Sequence, residues 1–156
     1  MKTTENQKLI LGSGSPRRKE ILSLAGFEFD VMVSDVEETY PDDLPLKDVP
    51  EFLAIKKAKA IQEQFKIQNR PIITADTIVL IDDEILGKPV DREDAIRILQ
   101  KLSGNTHEVL SGVCFLNNKI SKCVTDVTKV TFKNIELEEI EYYVDQFKPY
   151  DKAGAY

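Results

Sequence analysis

The sequence predicts an α/β fold whose sheet is mixed, partly antiparallel, and flanked by helices. Three observations predict it. Short apolar runs feed amphipathic helices, the stretch from Thr106 to Lys133 alternates in two long runs around Asn117–Asn118, and the apolar segment "PIITADTIVLIDDEILG" turns back on itself. Strand–helix units favour parallel pairing and tight turns favour antiparallel pairing, so one sheet must hold both.

Lys8–Leu11 is a short apolar strand that enters a glycine-serine turn. Ser15 then suits an N-cap and Pro16 the first helical position; Ile21, Leu22, Leu24 and Ala25 form an apolar stripe, and Gly26 stops the helix. "FEFDVMV", Phe27–Val33, alternates as a strand, and the acidic, proline-containing "SDVEETYPDDLPLKDVP" is a long loop. Asp48 and Glu51 open a capping-box-like helix through Phe65, with Leu53, Ala54, Lys57, Ala58 and Ile61 along it. The next apolar segment reads as a buried strand ending near Asp76, then a hairpin turning at Asp82–Asp83. Asp91 caps a helix carrying Ala95, Ile98, Leu99 and Leu102, with Gly104 as its stop. A hairpin turning at Asn117–Asn118 follows, and Leu137, Ile140, Val144 and Phe147 mark a last amphipathic helix.

At 156 residues, 42% hydrophobic and 31% charged, the chain fits one domain of an ordinary soluble protein. A net charge of −6 argues against a nucleic-acid binder, so an anionic ligand must be caught by local charge. Cys114 and Cys123 are too few for a disulfide framework or a zinc site, and the expectation is two reduced thiols in or near strands. No secretory h-region opens "MKTTENQKLIL", and no apolar run approaches the roughly 20 residues of a membrane span, so the expectation is a cytoplasmic protein without membrane association.

Arg17 and Arg18 stand at a helix N-terminus, the wrong end for positive charge. A strand, a Gly/Ser turn and a helix start form a ready anion site, where two guanidiniums make sense if a phosphate is held; the alternative is pairing with loop acids or plain solvation. Asp76 lies among apolar residues, where a carboxylate is costly unless it pairs, binds metal or does catalysis. Glu37 and Glu38 could complete an oxygen-ligand site for Mg²⁺ or Mn²⁺ with Asp76, although solvated charge is the commoner role of loop acids. Lys57, with Lys56 and Lys59 beside it, fits a solvated helix face, whereas Lys88 and Lys152 sit in glycine-containing loops open to close ligand approach. His107, the single histidine, suits a structural hydrogen bond.

Six segments together carry a resemblance. "GSGSPRRKEIL", "EET", "LAIKKAKA", "ADTIV", "LGKPVDREDAIRILQKLSGNTHEVLSGV" and "DKAGAY" resemble, in order, the motifs of the Maf family of nucleotide pyrophosphatases, over nearly the whole chain from Leu9. The resemblance implies a Maf/inosine-triphosphatase-like fold and a divalent-metal hydrolase that splits a nucleoside triphosphate into monophosphate and pyrophosphate. "SPRR" and "ADT" are similar to the branch acting on dTTP and UTP. On the matching positions, the resemblance implies that Asp76 is the catalytic base and that Arg17 and Thr77 bear on base preference. Ser13, Arg18, Glu38, Lys57, Lys88 and Lys152 fall on the remaining pocket motifs. A house-cleaning role linked to cell division, and a homodimer, are implied by the same analogy. Alternatives are a non-catalytic nucleotide-binding regulator of septum formation and a pyrophosphatase for a modified nucleotide.

The chain departs from the family pattern at Phe52, where many members have arginine, and at Gly12, commonly alanine. "QFKPYDKAGAY" lacks a glycine-glutamate pair, and the chain stops at Tyr156, where the family continues with "GIQ". The expectation is one Maf-like domain over residues 1–156 that lacks its C-terminal part.

Overall fold

The computed structural model of the protein describes residues 8–156. Among them run β1 (Leu9–Leu11), α1 (Pro16–Leu24), β2 (Phe29–Val31), α2 (Val49–Gln64), β3 (Ile72–Ile81), β4 (Glu84–Leu86), α3 (Arg92–Leu102), β5 (Thr106–Asn117), β6 (Ile120–Thr131) and α4 (Leu137–Phe147). The sheet is mixed, as its pattern predicts: the strand order is β2-β1-β3-β5-β6, with β4 pairing β3. β1 is parallel to β2 and β3, while β4 returns antiparallel along β3.

The chain forms two compact units, Met1–Asp76 with Gly112–Thr125, and Thr77–Ser111 with Asp126–Tyr156. The first has a core of Ile10, Ala58, Ile61, Ile72 and Leu116. α2 supplies this core because Leu53, Ala54, Ala58 and Ile61 recur at helical spacing on one face, and all four are buried. Gly112 lets β5 approach the start of α2, since a Cβ there would stand 2.4 Å from the backbone carbon of Pro50.

Several expectations for this unit need correction. Asp48 does not cap α2 with its side chain; it ends a 3-10 turn over Leu46–Asp48 in a right-handed helical conformation, so the backbone runs on into the helix. Ser15 makes no side-chain cap on α1 either. The stripe expected to bury α1 stays outside: no residue of α1 is buried, and Leu24 is 81% exposed. β3 does not end near Asp76 but passes straight through it to Ile81.

The cysteines are joined rather than reduced: Cys114 and Cys123 form a disulfide across the β5–β6 hairpin, with Cα atoms 4.1 Å apart. The reason is register. The hairpin turns at Asn118–Lys119, one residue later than expected, which sets each cysteine three positions from its own side of the turn and places them opposite one another. Closing so short a loop removes about 2–3 kcal/mol of unfolded-state freedom on the chain-entropy account.

The second unit is built as its pattern indicates. Ala95, Ile98, Leu99 and Leu102 of α3 pack with Ile140 and Val144 of α4 and with Val79 and Leu86. The Asp91 carboxylate accepts from the Asp94 amide at 2.8 Å, capping α3. Asp82 and Asp83 both adopt positive φ, 49° and 57°, the geometry of a tight two-residue hairpin turn. His107 is buried, its Nε2 is 2.6 Å from the Tyr156 hydroxyl, and both rings stand edge-on to Phe132.

Burial holds the His107 pKa below its ordinary 6.5. A lowered folded pKa gives stability that is complete above 6.5 and lost as pH falls through the folded value. Stability to denaturant is therefore expected to fall between pH 7 and 5, and His107→Leu to flatten that dependence. Tyr156→Phe, which strips the partner from a buried ring nitrogen, is expected to cost about 1–3 kcal/mol at pH 7.

Candidate active site

β1 ends at Leu11, and its last register partner on β3 is Ile73. Beyond that point β3 continues without β1 at its side, so Ala75 and Asp76 lie past the carboxyl ends of the parallel strands. Open α/β sheets gather ligands there. Asp76 is thus well placed although its strand does not end.

The glycine-serine turn after β1 answers the puzzle of the arginines. Ser13 is buried, and its Oγ accepts from the Ser15 amide at 3.3 Å and from Arg18 Nη1 at 3.1 Å. The same Arg18 nitrogen donates to the Ala75 carbonyl oxygen at 2.9 Å. Arg18 therefore leaves the helix axis and ties the turn to β3, one residue before Asp76. Burial lowers its pKa, against the opposing pull of Asp76. Arg17, its neighbour, is exposed on α1.

Asp76 is 7% exposed. Lys57 Nζ donates to its Oδ1 at 2.8 Å and lies 3.0 Å from Glu38 Oε1, so one ammonium bridges a buried carboxylate and a loop carboxylate. Burial raises the Asp76 pKa, and Glu38 adds to the rise; the Lys57 hydrogen bond and charge, and Arg18, oppose it. The net result is a carboxylate harder to ionise than usual, although a cation touches it.

Sequence periodicity aims the pair. Thr74 and Asp76 share a face of β3, and Ala54 and Lys57 lie three apart on α2. The buried Thr74 hydroxyl donates to the Ala54 carbonyl oxygen at 2.6 Å, fixing strand against helix one step from the ion pair. Gly12 completes the fit: a Cβ there would stand 2.5 Å from the ends of both Ile61 and Thr74.

Of the expected residues, Ser13, Arg18, Lys57, Asp76 and Glu38 come together in the first unit. Lys57 does not lie on a solvated face, and Lys59 does. Glu37 is exposed, and among the described residues no three His, Cys, Asp or Glu side chains form a metal-holding group. Lys88, Lys152 and Thr77 belong to the second unit. There the Gly154 amide donates to the Gly87 carbonyl oxygen at 3.1 Å, bringing the two lysine-bearing loops side by side. Lys152 Nζ pairs with Asp151 at 2.8 Å, and Thr77 Oγ1 lies 3.2 Å from Ser111 Oγ. Thr74 is absent from the sequence expectations, although a hydroxyl on a buried strand is a signal, and Lys56, expected on a solvated face, bonds to Thr39. No helix among the described residues is long and apolar enough to cross a membrane.

Comparison with known proteins adds an independent line. The family model described as "Maf-like protein" matches residues 8–156. A dTTP/UTP pyrophosphatase of Flavobacterium psychrophilum is 43% identical over 99% of this chain and 79% of that protein. The one of Flavobacterium johnsoniae is 45% identical over 96% of this chain and 76% of its own length. That of Porphyromonas gingivalis strain W83 is 46% identical, with the same coverage of 96% and 76%. A crystal structure of a Vibrio cholerae protein superposes with a TM-score of 0.48 at 8% identity, covering 91% of this chain and 79% of that one. A match along the whole described chain, residues 8–156, places this protein in the family of Maf-like proteins.

Proposed function

We propose that this chain hydrolyses nucleoside triphosphates, dTTP and UTP above others, to the monophosphate and pyrophosphate. The observation that carries the reading is the Asp76 carboxylate, buried past the ends of the parallel strands and held by Lys57 with Arg18 on the adjoining turn. The names of its relatives supply the substrate class.

Cleavage at the α-phosphorus needs an oriented water, positive charge on the phosphates and somewhere for a proton to go. Asp76 takes the proton of the attacking water as its oxygen bonds to the α-phosphorus. The bond from that phosphorus to the bridging oxygen breaks, and pyrophosphate departs with its electron pair. A carboxylate raised above its ordinary pKa is the better base for this. Lys57 keeps Asp76 oriented and Arg18 presents fixed charge to phosphate oxygens. Arg17, Thr77, Lys88 and Lys152 enter as substrate-binding residues on their motif positions.

Asp76 and Glu38 offer only oxygen donors, converging on a single ammonium. That donor set fits Mg²⁺ or Mn²⁺, which take one or two carboxylates and complete their shells with water and substrate phosphate. Glu37, next in the loop, is the reserve ligand. Such an ion supplies charge on the phosphate oxygens and a more acidic bound water. The reading places the enzyme in the cytoplasm beside its nucleotides, requires neither nucleic acid nor membrane, and takes a homodimer by family analogy.

Pyrophosphate release from a nucleotide panel with Mg²⁺ or Mn²⁺ tests the reading: dTTP and UTP are expected to lead, whereas tight binding with no release contradicts it. Asp76→Asn is expected to lower turnover by about 10²–10⁴-fold, the range of a positioned general base. Unchanged turnover removes Asp76 from the chemistry. The raised Asp76 pKa also fixes a stability sign. The unfolded chain ionises first, so the cost of the buried charge is absent below about 3.8 and complete above the folded value. Asp76→Asn is thus expected to melt above the unsubstituted protein at pH 7, with the gap closing toward pH 4.

A further inference from the structure

We propose that Lys56 is a positioning residue that fastens the acidic loop, and with it Glu38, onto α2. Its Nζ donates to the Thr39 carbonyl oxygen and to Thr39 Oγ1, each at 2.9 Å. Thr39 directly follows Glu38, whose carboxylate lies 3.0 Å from the ammonium of Lys57. Two successive lysines of one helix therefore grip two successive residues of one loop. Neighbouring helix positions do not face the same way, so the two side chains diverge: Lys57 turns in to Asp76, and Lys56 reaches outward to the loop backbone.

The division of labour follows from what each residue holds. Lys57 cannot anchor the loop alone, because its charge is shared with Asp76 and its contact to the loop is one long, rotatable, 58%-exposed glutamate side chain. Lys56 grips the main chain itself, and its charge-assisted bond to the Thr39 carbonyl oxygen holds the backbone directly after Glu38. Glu38 and Thr39 are both tied to α2 through these two lysines. The segment is otherwise irregular and acidic, the composition that drifts when released. Lys56 touches neither Asp76 nor Arg18, so its effect on the reaction passes through Glu38.

The catalytic consequence rests on the proposed function; the clamp does not, and two readouts separate them. In Lys56→Met, backbone ¹⁵N order parameters at Glu38–Tyr40 are expected to drop from the rigid range near 0.85 to below about 0.6, and Lys56→Arg to restore them. With dTTP saturating, the Mg²⁺ concentration giving half-maximal pyrophosphate release is expected to rise about tenfold in Lys56→Met, the order of one lost charge-assisted bond. The KM for dTTP at saturating Mg²⁺ is expected to stay within about twofold, and Lys56→Arg to recover the Mg²⁺ response. Rigid order parameters in Lys56→Met overturn the clamp. A loosened loop with an unchanged Mg²⁺ response overturns the positioning role. If the unsubstituted protein releases no pyrophosphate, the function fails while the order parameters still decide the clamp.

Discussion

The ion pair between Lys57 and Asp76 is the contact around which the first unit is arranged. Taking a carboxylate and an ammonium out of water costs several kcal/mol per ion, and their attraction often fails to return it. The raised Asp76 pKa says the same: even with Lys57 at 2.8 Å, burial dominates. Such a pair is a poor stabilising device. Its surroundings are nonetheless built to keep it, with Thr74 bonded to Ala54 beneath it, Gly12 giving room for Thr74 and Ile61, and Arg18 holding the adjoining turn. A fold that spends stability at one buried acid and reinforces it from three sides is what the function proposed for Asp76 requires.

The chain's other charges behave differently. Arg92 with Asp145, Arg97 with Asp94 and Glu84, and Lys101 with Glu84 lie at the surface of the second unit. Exposed pairs of this kind contribute little each and weaken in salt. Ser13, Arg18, Lys57 and Asp76 are instead screened from solvent, where each charge acts at greater strength. A protein carrying −6 overall can hold an anion only by such local concentration.

What the sequence made legible was set by local pattern. α2, α3 and α4 declare themselves through apolar spacing, and Asp91 through a cap that needs only its own neighbours. Asp76 stood out because a carboxylate among isoleucines and valines demands a reason. What stayed hidden depends on contacts between distant segments. The Ile21 and Leu24 stripe of α1 has helical spacing yet meets no core. Two cysteines are too few to signal a disulfide by number, and only the register of the β5–β6 hairpin, one residue later than its pattern suggests, sets Cys114 opposite Cys123. Lys56, Lys57 and Lys59 are indistinguishable as a charge run; only the tertiary fold sends one to Asp76, one to Thr39 and one to solvent.

The most direct test of this account is a carboxyl ¹³C titration of Asp76 in the unsubstituted protein and in Lys57→Met. A midpoint above the ordinary aspartate value of 3.8, moving higher still when the ammonium is removed, is the expected result. A midpoint at or below 3.8, or one indifferent to the loss of Lys57, would contradict the claim that a costly buried carboxylate, steadied by one lysine, is the centre of this site.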